Sequence, residues 1–60
     1  MIYKNNSPHT KDKTYSVVSD GWGYKIVEYV KGCRKTQLTL SKESKIMFEQ
    51  RLKENGWYAK

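Results

Sequence analysis

The sequence predicts an α+β fold in which a three-stranded antiparallel meander is followed by one C-terminal helix, packed on one face of the sheet. Between residues 14 and 40, runs of β-branched and aromatic residues are separated by glycines, as in strands joined by tight turns. After Ser41, apolar residues recur at helical spacing between helix-capping residues. Residues 1–13 show neither pattern and are predicted to form a flexible basic arm. The remaining residues, 14–60, are expected to be a single small βββα domain.

The strands are predicted at Thr14–Ser19, Tyr24–Val30 and Cys33–Leu40. Asp20-Gly21 and Lys31-Gly32 lie between them, and both are favourable sequences for two-residue hairpin turns. Neighbouring strands are therefore expected to be antiparallel. A bulge at residues 21–23 is equally compatible with the sequence and would exchange the two faces of the first strand, so the register of that strand stays open.

The turn at Lys31-Gly32 predicts which residues of the second and third strands lie opposite one another. Tyr29 would pair with Arg34, and Glu28 would pair with Lys35. Simple alternation along the third strand then predicts four residues on one face: Arg34, Thr36, Leu38 and Leu40.

The helix is predicted from about Lys42 to Asn55. Ser41 is a preferred N-cap residue, and Glu43 would lie in the first turn, near the positive end of the helix dipole. Gly56 follows the last helical residues and is typical of a helix C-terminus. These signals make the helix the most clearly marked element of the chain.

Helical spacing assigns the side chains of this helix to its two sides. Phe48 and Leu52 share a narrow arc and are predicted to face the sheet. Glu49 and Lys53 are four residues apart and are expected to form an ion pair on the outer side. Ile46 also falls on that outer side, where no core is available to it.

The net charge of +6 comes from 12 Lys and Arg against 6 Asp and Glu and favours an anionic partner. The excess is spread evenly along the sequence, so a basic surface must be assembled by folding. The single cysteine, Cys33, excludes an intrachain disulfide, and with the single histidine, His9, it makes a zinc site an unexpected feature. No apolar run approaches the length of a membrane span and the first residues are not signal-like, so we expect a cytoplasmic protein without membrane contact.

No constellation typical of an enzyme is present. His9 lies in the predicted arm and far from Cys33 in the sequence, so no base is expected beside a nucleophile. Gly21-Trp22-Gly23 is not followed by the third glycine and the helix that a dinucleotide requires. We therefore expect a non-enzymatic binding protein that uses no cofactor and no metal.

Basic, aromatic and amide side chains alternate along the predicted strands. Lysine and arginine neutralise phosphates, planar rings stack on bases, and arginine or glutamine can read base edges. The sequence thus predicts a nucleic-acid interface, for duplex DNA rather than RNA, on an open sheet face. Its predicted residues are Lys25, Tyr29, Arg34, Lys35 and Gln37. The alternative is that these bases only protect sheet edges from aggregation while the aromatic residues enlarge a small core.

The stretch from Trp22 to Leu52 resembles a known family of DNA-binding modules. The resemblance rests on four segments: Tyr24-Lys25-Ile26-Val27, Lys31-Gly32, Arg34-Lys35 and Ser41-Lys42-Glu43. In this order they are similar to the three-stranded-sheet-plus-helix modules of phage and transposon tyrosine integrases. The resemblance implies that the open sheet face enters a major groove. The contacting positions that it implies are Lys25, Arg34, Lys35 and Gln37.

A second hypothesis is that the chain is a small accessory or inhibitor protein, of the type encoded by phages and mobile elements, which docks on an acidic host protein. Trp57 and Tyr58 follow the helix and could fold back over its end. With the exposed side of the helix they would form a docking surface. Its predicted residues are Ile46, Gln50, Lys53, Trp57 and Tyr58. A homodimer is compatible with either hypothesis.

Overall fold

The computed structural model describes all 60 residues and contains five strands and one helix. In chain order they are β1 (Ile2–Lys4), β2 (Lys13–Asp20), β3 (Gly23–Val30), β4 (Cys33–Leu40), α1 (Lys42–Glu54) and β5 (Tyr58–Ala59). All strands join one antiparallel sheet in the order β4-β3-β2-β1-β5. The α+β class is confirmed, but the sheet has five strands where the sequence predicted three.

The central hairpins follow from glycines in left-handed conformations. Lys31 and Gly32 both have positive φ, 53° and 80°, the pattern of the type I′ turn predicted at this position. The other loop consists of Gly21 and Trp22, because Asp20 pairs with Gly23. Only Gly21 has positive φ there (63°), as in a type II′ turn, so this loop lies one residue later than the predicted Asp20-Gly21 turn.

The N-terminal segment is not a flexible arm, and that prediction is wrong. Ile2–Lys4 form a strand between β2 and β5, and Tyr3 is 1% exposed, the most buried side chain of the protein. The following loop is held to the helix end, since Asn5 Nδ2 donates to the carbonyl of Asn55 at 3.0 Å. A strand of three residues is too short to show periodicity, and its pairing partners lie far away in the sequence.

Helix α1 begins and ends at the predicted caps. Ser41 Oγ accepts a hydrogen bond from the Ser44 amide at 3.3 Å. At the other end Gly56 has a φ of 89°, and the Trp57 amide donates to the Leu52 carbonyl at 2.9 Å. This is a Schellman arrangement, and its apolar contact is made by Leu52 and Trp57, which both lie in the core. The cap thus directs the chain from α1 into β5.

The core lies between α1 and one face of the sheet. Its buried members are Tyr3, Val17, Ile26, Leu52 and Trp57. Tyr15 forms edge-to-face contacts with Phe48 and Trp57, at centroid distances of 5.6 and 4.9 Å. The predicted inward positions of Phe48 and Leu52, and the folding of Trp57 over the helix end, are confirmed.

Glu49 points inward, and the expected outward ion pair with Lys53 is wrong. Glu49 is 9% exposed, and its carboxylate accepts a hydrogen bond of 2.5 Å from the Tyr3 hydroxyl and lies 2.7 Å from Lys45 Nζ. Because the sheet is wider than predicted, Tyr3 of β1 lies beneath this side of the helix and supplies the donor that a buried carboxylate needs. Burial and the Glu49 hydrogen bond raise the pKa of Tyr3 to about 12.

Deletion of residues 1–5 is expected to abolish cooperative unfolding. It removes β1, the Tyr3 ring from the core and the strand that pairs with β5, whereas loss of a flexible arm would leave the melting temperature unchanged. Thermal unfolding followed by circular dichroism measures this. His9→Ala is the control, since His9 is exposed and its substitution should change stability by less than about 0.5 kcal/mol.

Glu49 is expected to make the fold acid-sensitive. Burial alone would raise the pKa of Glu49, but hydrogen bonds from Lys45 and Tyr3 and the charges of Lys45 and Lys53 outweigh it and lower the pKa. The ionised form is therefore favoured in the folded state. Its stabilisation is present above the unfolded value of about 4.3 and is lost as the pH falls through the lowered folded pKa.

Urea unfolding at a series of pH values below 6 tests this expectation. As the pH is lowered, the free energy of unfolding should decrease in the natural protein. It should decrease less steeply in Glu49→Gln, which keeps the size of the side chain but cannot titrate. Equal slopes in the two proteins would show that Glu49 is not responsible.

Candidate nucleic-acid interface

Helix α1 leaves one face of the sheet uncovered, and the strand register places side chains on that face in rows. We call this surface the open face. Its widest row consists of Tyr58, Lys4, Thr14, Tyr29 and Arg34, one residue from each strand. Adjacent strands lie about 4.8 Å apart, so the backbones of Lys4 and Arg34 are separated by about 14 Å. The row thus has a basic residue on each side of Tyr29.

Two further rows complete the open face. The second contains Ile2, Ser16, Val27 and Gln37, and the third contains Val18, Lys25 and Thr39. Val27 is only 4% exposed although no helix covers it, whereas Ile2 and Val18 are each more than 40% exposed. The open face therefore has an apolar centre surrounded by polar and basic side chains.

A bulge in β4 decides which of its residues reach the open face. Tyr29 pairs with Arg34 as predicted, but Glu28 pairs with Thr36, so Lys35 is an extra residue without a partner in β3. The expected pairing of Glu28 with Lys35 is therefore wrong.

The shift also separates Arg34 from the leucines that it was predicted to accompany. Leu38 and Leu40 turn to the helix side, opposite Ile26 and Tyr24, where Leu40 packs against the core. In an unbulged ladder both leucines would lie on the uncovered face, which is a physical reason for the extra residue. Arg34 stays on the open face beside Tyr29.

The structure brings the five predicted nucleic-acid-binding residues together. Lys25, Tyr29, Arg34 and Gln37 occupy open-face positions, and Lys35 follows Arg34 at the bulge. Arg34 Nη1 donates to Gln37 Oε1 at 3.1 Å, so the guanidinium extends along β4 towards the centre of the face. Arg34, Lys35 and Gln37 are exposed, whereas Lys25 and Tyr29 are half-buried.

Sequence reasoning missed two basic residues on this face. Lys4 lies in β1, and the Lys60 amide donates to the Ile2 carbonyl, which places Lys60 beside the second row. Contact with the Lys60 ammonium, and repulsion from it, lower the pKa of Lys4. Two lysines thus crowd together on the edge of the face opposite Arg34. Their positions depend on β1 and β5, which have no sequence signal of their own.

The carboxylates lie almost entirely elsewhere. Four of them belong to the helix side: Glu28, Glu43, Glu49 and Glu54. Glu28 accepts from the Tyr15 hydroxyl at 2.9 Å, and burial and this bond raise the pKa of Tyr15 to about 12. Of the other two, Asp20, next to the Gly21–Trp22 loop, falls at an open-face position, and Asp12 immediately precedes β2. The open face is therefore strongly cationic.

Trp22 is fully exposed at the tip of the β2–β3 hairpin, with a relative exposure of 104%. The sequence left open whether this ring adds bulk to the core. The structure excludes that role, because the type II′ turn projects the side chain into solvent beyond the last strand pair. A free indole at this end of the sheet is available for stacking.

The five residues predicted for protein docking do not form one surface. Ile46, Gln50 and Lys53 are exposed on α1. Trp57 is 9% exposed and belongs to the core, so it cannot reach a partner. Tyr58 pairs with Lys4 on the opposite side of the molecule, and its hydroxyl donates to Asn6 Oδ1. Only the exposed side of the helix remains of this surface.

Comparison with protein-family models, with curated proteins and with solved structures finds no significant match to this chain. No His, Cys, Asp and Glu side chains form a group of three or more that could hold a metal ion. The helix of 13 residues is neither long nor apolar enough to cross a membrane.

Truncation of the two tryptophans is expected to have very different effects on stability. Trp22→Ala should change the free energy of unfolding by less than about 0.5 kcal/mol, because the ring makes no packing contribution. Trp57→Ala should cost about 3–5 kcal/mol, because it empties part of the core. Urea denaturation of both variants checks this, and a comparable loss in Trp22→Ala would contradict the exposed position of its ring.

Proposed function

We propose that this protein binds duplex DNA through the open face. The observation that supports the proposal is the charge of that face: five basic residues lie on it or beside it, against two carboxylates, those of Asp12 and Asp20. The bases are Lys4, Lys25, Arg34, Lys35 and Lys60. Phosphate contacts supply most of the affinity of such interfaces, and a protein surface of this sign attracts the DNA backbone at long range.

The shape of the sheet suggests how it meets the duplex. At the Gly21–Trp22 end only β2, β3 and β4 are present, so the sheet is about 10 Å wide there. The major groove of B-DNA is about 12 Å wide and admits a small β structure. Lys25 lies on the narrow half, and Gln37 lies next to it. Lys25 can donate hydrogen bonds to base edges, and Gln37 can both donate and accept them.

The wide half is suited to the phosphates on either side of the groove. Lys4 and Arg34 are about 14 Å apart, slightly more than the groove width. When the narrow half enters the groove, Lys4 and Lys60 reach one backbone while Arg34 and Lys35 reach the other. Trp22 leads the inserted end and can pack against sugars or bases.

Salt dependence is the first test of this proposal. If five bases replace counterions, the slope of log K against log salt concentration should be about −4 to −5. Fluorescence anisotropy with a labelled DNA duplex at several ionic strengths measures it. Affinity that is absent at low salt, or that does not change with salt, would count against DNA binding.

The double variant Arg34→Ala/Lys35→Ala should lower that slope by about 2, since two phosphate contacts are lost. The matched control is Lys42→Ala/Lys53→Ala, which removes the same charge from α1 and should leave the slope nearly unchanged. Equal effects of the two pairs would indicate attraction by net charge without a defined face. Ile46→Asp, also on α1, should leave binding intact.

The form of nucleic acid provides a further distinction. The deep, narrow major groove of an RNA duplex excludes side chains. The proposed mode therefore requires tighter binding to a DNA duplex than to the RNA duplex of the same sequence in the same anisotropy assay. Preference for single-stranded DNA would instead indicate that Tyr29 and Trp22 act as a stacking platform.

Docking on a protein through α1 is a second candidate function, favoured by one observation. Ile46 and Met47 are 51% and 59% exposed, although they are large apolar residues. If this side of α1 binds a host protein, Ile46→Asp should abolish that complex and leave DNA binding unchanged. The two functions are thus separable by a single substitution.

A further inference from the structure

Strand β4 forms a long unpaired edge of the sheet. It has eight residues, of which all but Leu40 are exposed, and no strand lies beyond it. At the opposite edge, β5 has only two residues, a length that by itself discourages further pairing. The bulge at Lys35 interrupts the start of β4, but Thr36–Leu40 continue as a regular strand. This segment is a template for another strand.

The hairpin geometry identifies which backbone groups of β4 are free. The two-residue loop at 31–32 closes on the pair Val30 and Cys33. Such closing pairs are hydrogen-bonded, and hydrogen-bonded pairs alternate along an antiparallel ladder. Beyond the bulge, the groups bonded to β3 are those of Thr36, Leu38 and Leu40. The amides and carbonyls of Gln37 and Thr39 therefore point away from the sheet.

An apolar groove lies directly beside this edge, between β4 and α1. Its volume is about 260 Å³, and its lining residues are Leu38, Leu40, Ser44, Met47, Phe48 and Arg51. Leu38 is 49% exposed and Met47 is 59% exposed, so the groove is open to solvent beside β4. A residue placed opposite Leu38 by an added strand would fill this groove.

The charge around the edge indicates the chemistry of an occupant. Residues 31–42 contain four bases and no acidic residue. Arg51 adds a further base at the groove. The nearest carboxylate, that of Glu28 in β3, already accepts hydrogen bonds from Tyr15 and Thr36. A second copy of the chain would bring a charge of +6 against the same charge. A negatively charged segment is complementary to the edge, and a second copy is not.

We propose that β4 binds an extended acidic segment of a partner protein, which joins the sheet as a sixth strand. Main-chain bonds to Gln37 and Thr39 hold the segment, and an apolar side chain opposite Leu38 occupies the groove. Its carboxylates alternate onto the other face of the added strand, where they meet Arg34 and Lys35. The binding uses the edge of β4, its helix side through Leu38, and its open face through Arg34. It does not depend on the DNA-binding role of the open face.

The test uses the full chain and a pool of seven-residue peptides with Asp or Glu alternating with Val, Ile or Leu. At saturating peptide, hydrogen exchange followed by NMR should slow about tenfold at the Gln37 and Thr39 amides. Thr39→Pro removes one free donor at an edge position that tolerates proline, and should weaken binding about tenfold. Thr39→Val keeps the donor and should bind as the natural chain does.

Several outcomes would overturn the proposal. These are unchanged exchange at Gln37 and Thr39 with millimolar peptide, equal affinity of Thr39→Pro, and equal binding of a pool in which Lys replaces Asp and Glu. The remaining alternative is that a second copy of the chain pairs with β4. Cys33, exposed at the first residue of β4, would then be able to form a disulfide between the two copies. If the chain sediments as a dimer that oxidation links through Cys33, a second copy occupies the edge and the proposal fails.

Discussion

One helix must carry the chain from one edge of the sheet to the other. β4 and β5 form opposite edges, and α1 is the only connection between them. Five strands at about 4.8 Å span about 19 Å, and a helix of 13 residues at about 1.5 Å per residue is about 20 Å long. The helix is thus just long enough to cross, and it covers only one face. Exposure of the other face, and of the long edge β4, follows from this match of length and width.

The parts of the fold that could be predicted from sequence are those determined by neighbouring residues. Ser41 and Gly56 cap the helix within one turn of it, and Lys31 with Gly32 fixes a hairpin locally. β1 could not be predicted, because a three-residue strand is stabilised by β2 and β5, which are distant in the sequence. The inward position of Glu49 could not be predicted for the same reason, since its hydrogen-bond donor Tyr3 belongs to β1.

The candidate site could be predicted where side chains alternate regularly between the two faces of a strand. Lys25 and Tyr29 share a face of β3 by period two alone. Arg34 and Gln37 are three residues apart, and in a regular strand they would lie on opposite faces; the bulge at Lys35 brings them together. A bulge leaves little trace in one sequence, because its effect, turning Leu40 towards the core on the other side, depends on the tertiary structure.

Folding also converts an even distribution of charge into an uneven one. Along the sequence, residues 1–13, 14–40 and 41–60 contribute equally to the net charge of +6. In space, side chains alternate between the two faces of the sheet, and four of the six carboxylates lie on the helix side. Glu28 is used there by the Tyr15 hydroxyl, and Glu49 by Tyr3 and Lys45. These acidic groups are held among their own hydrogen-bond partners, so they cannot neutralise the bases of the open face. Because Glu28 and Glu49 are hydrogen-bonded on the helix side, the bases on the side that the only helix does not cover form a cationic surface.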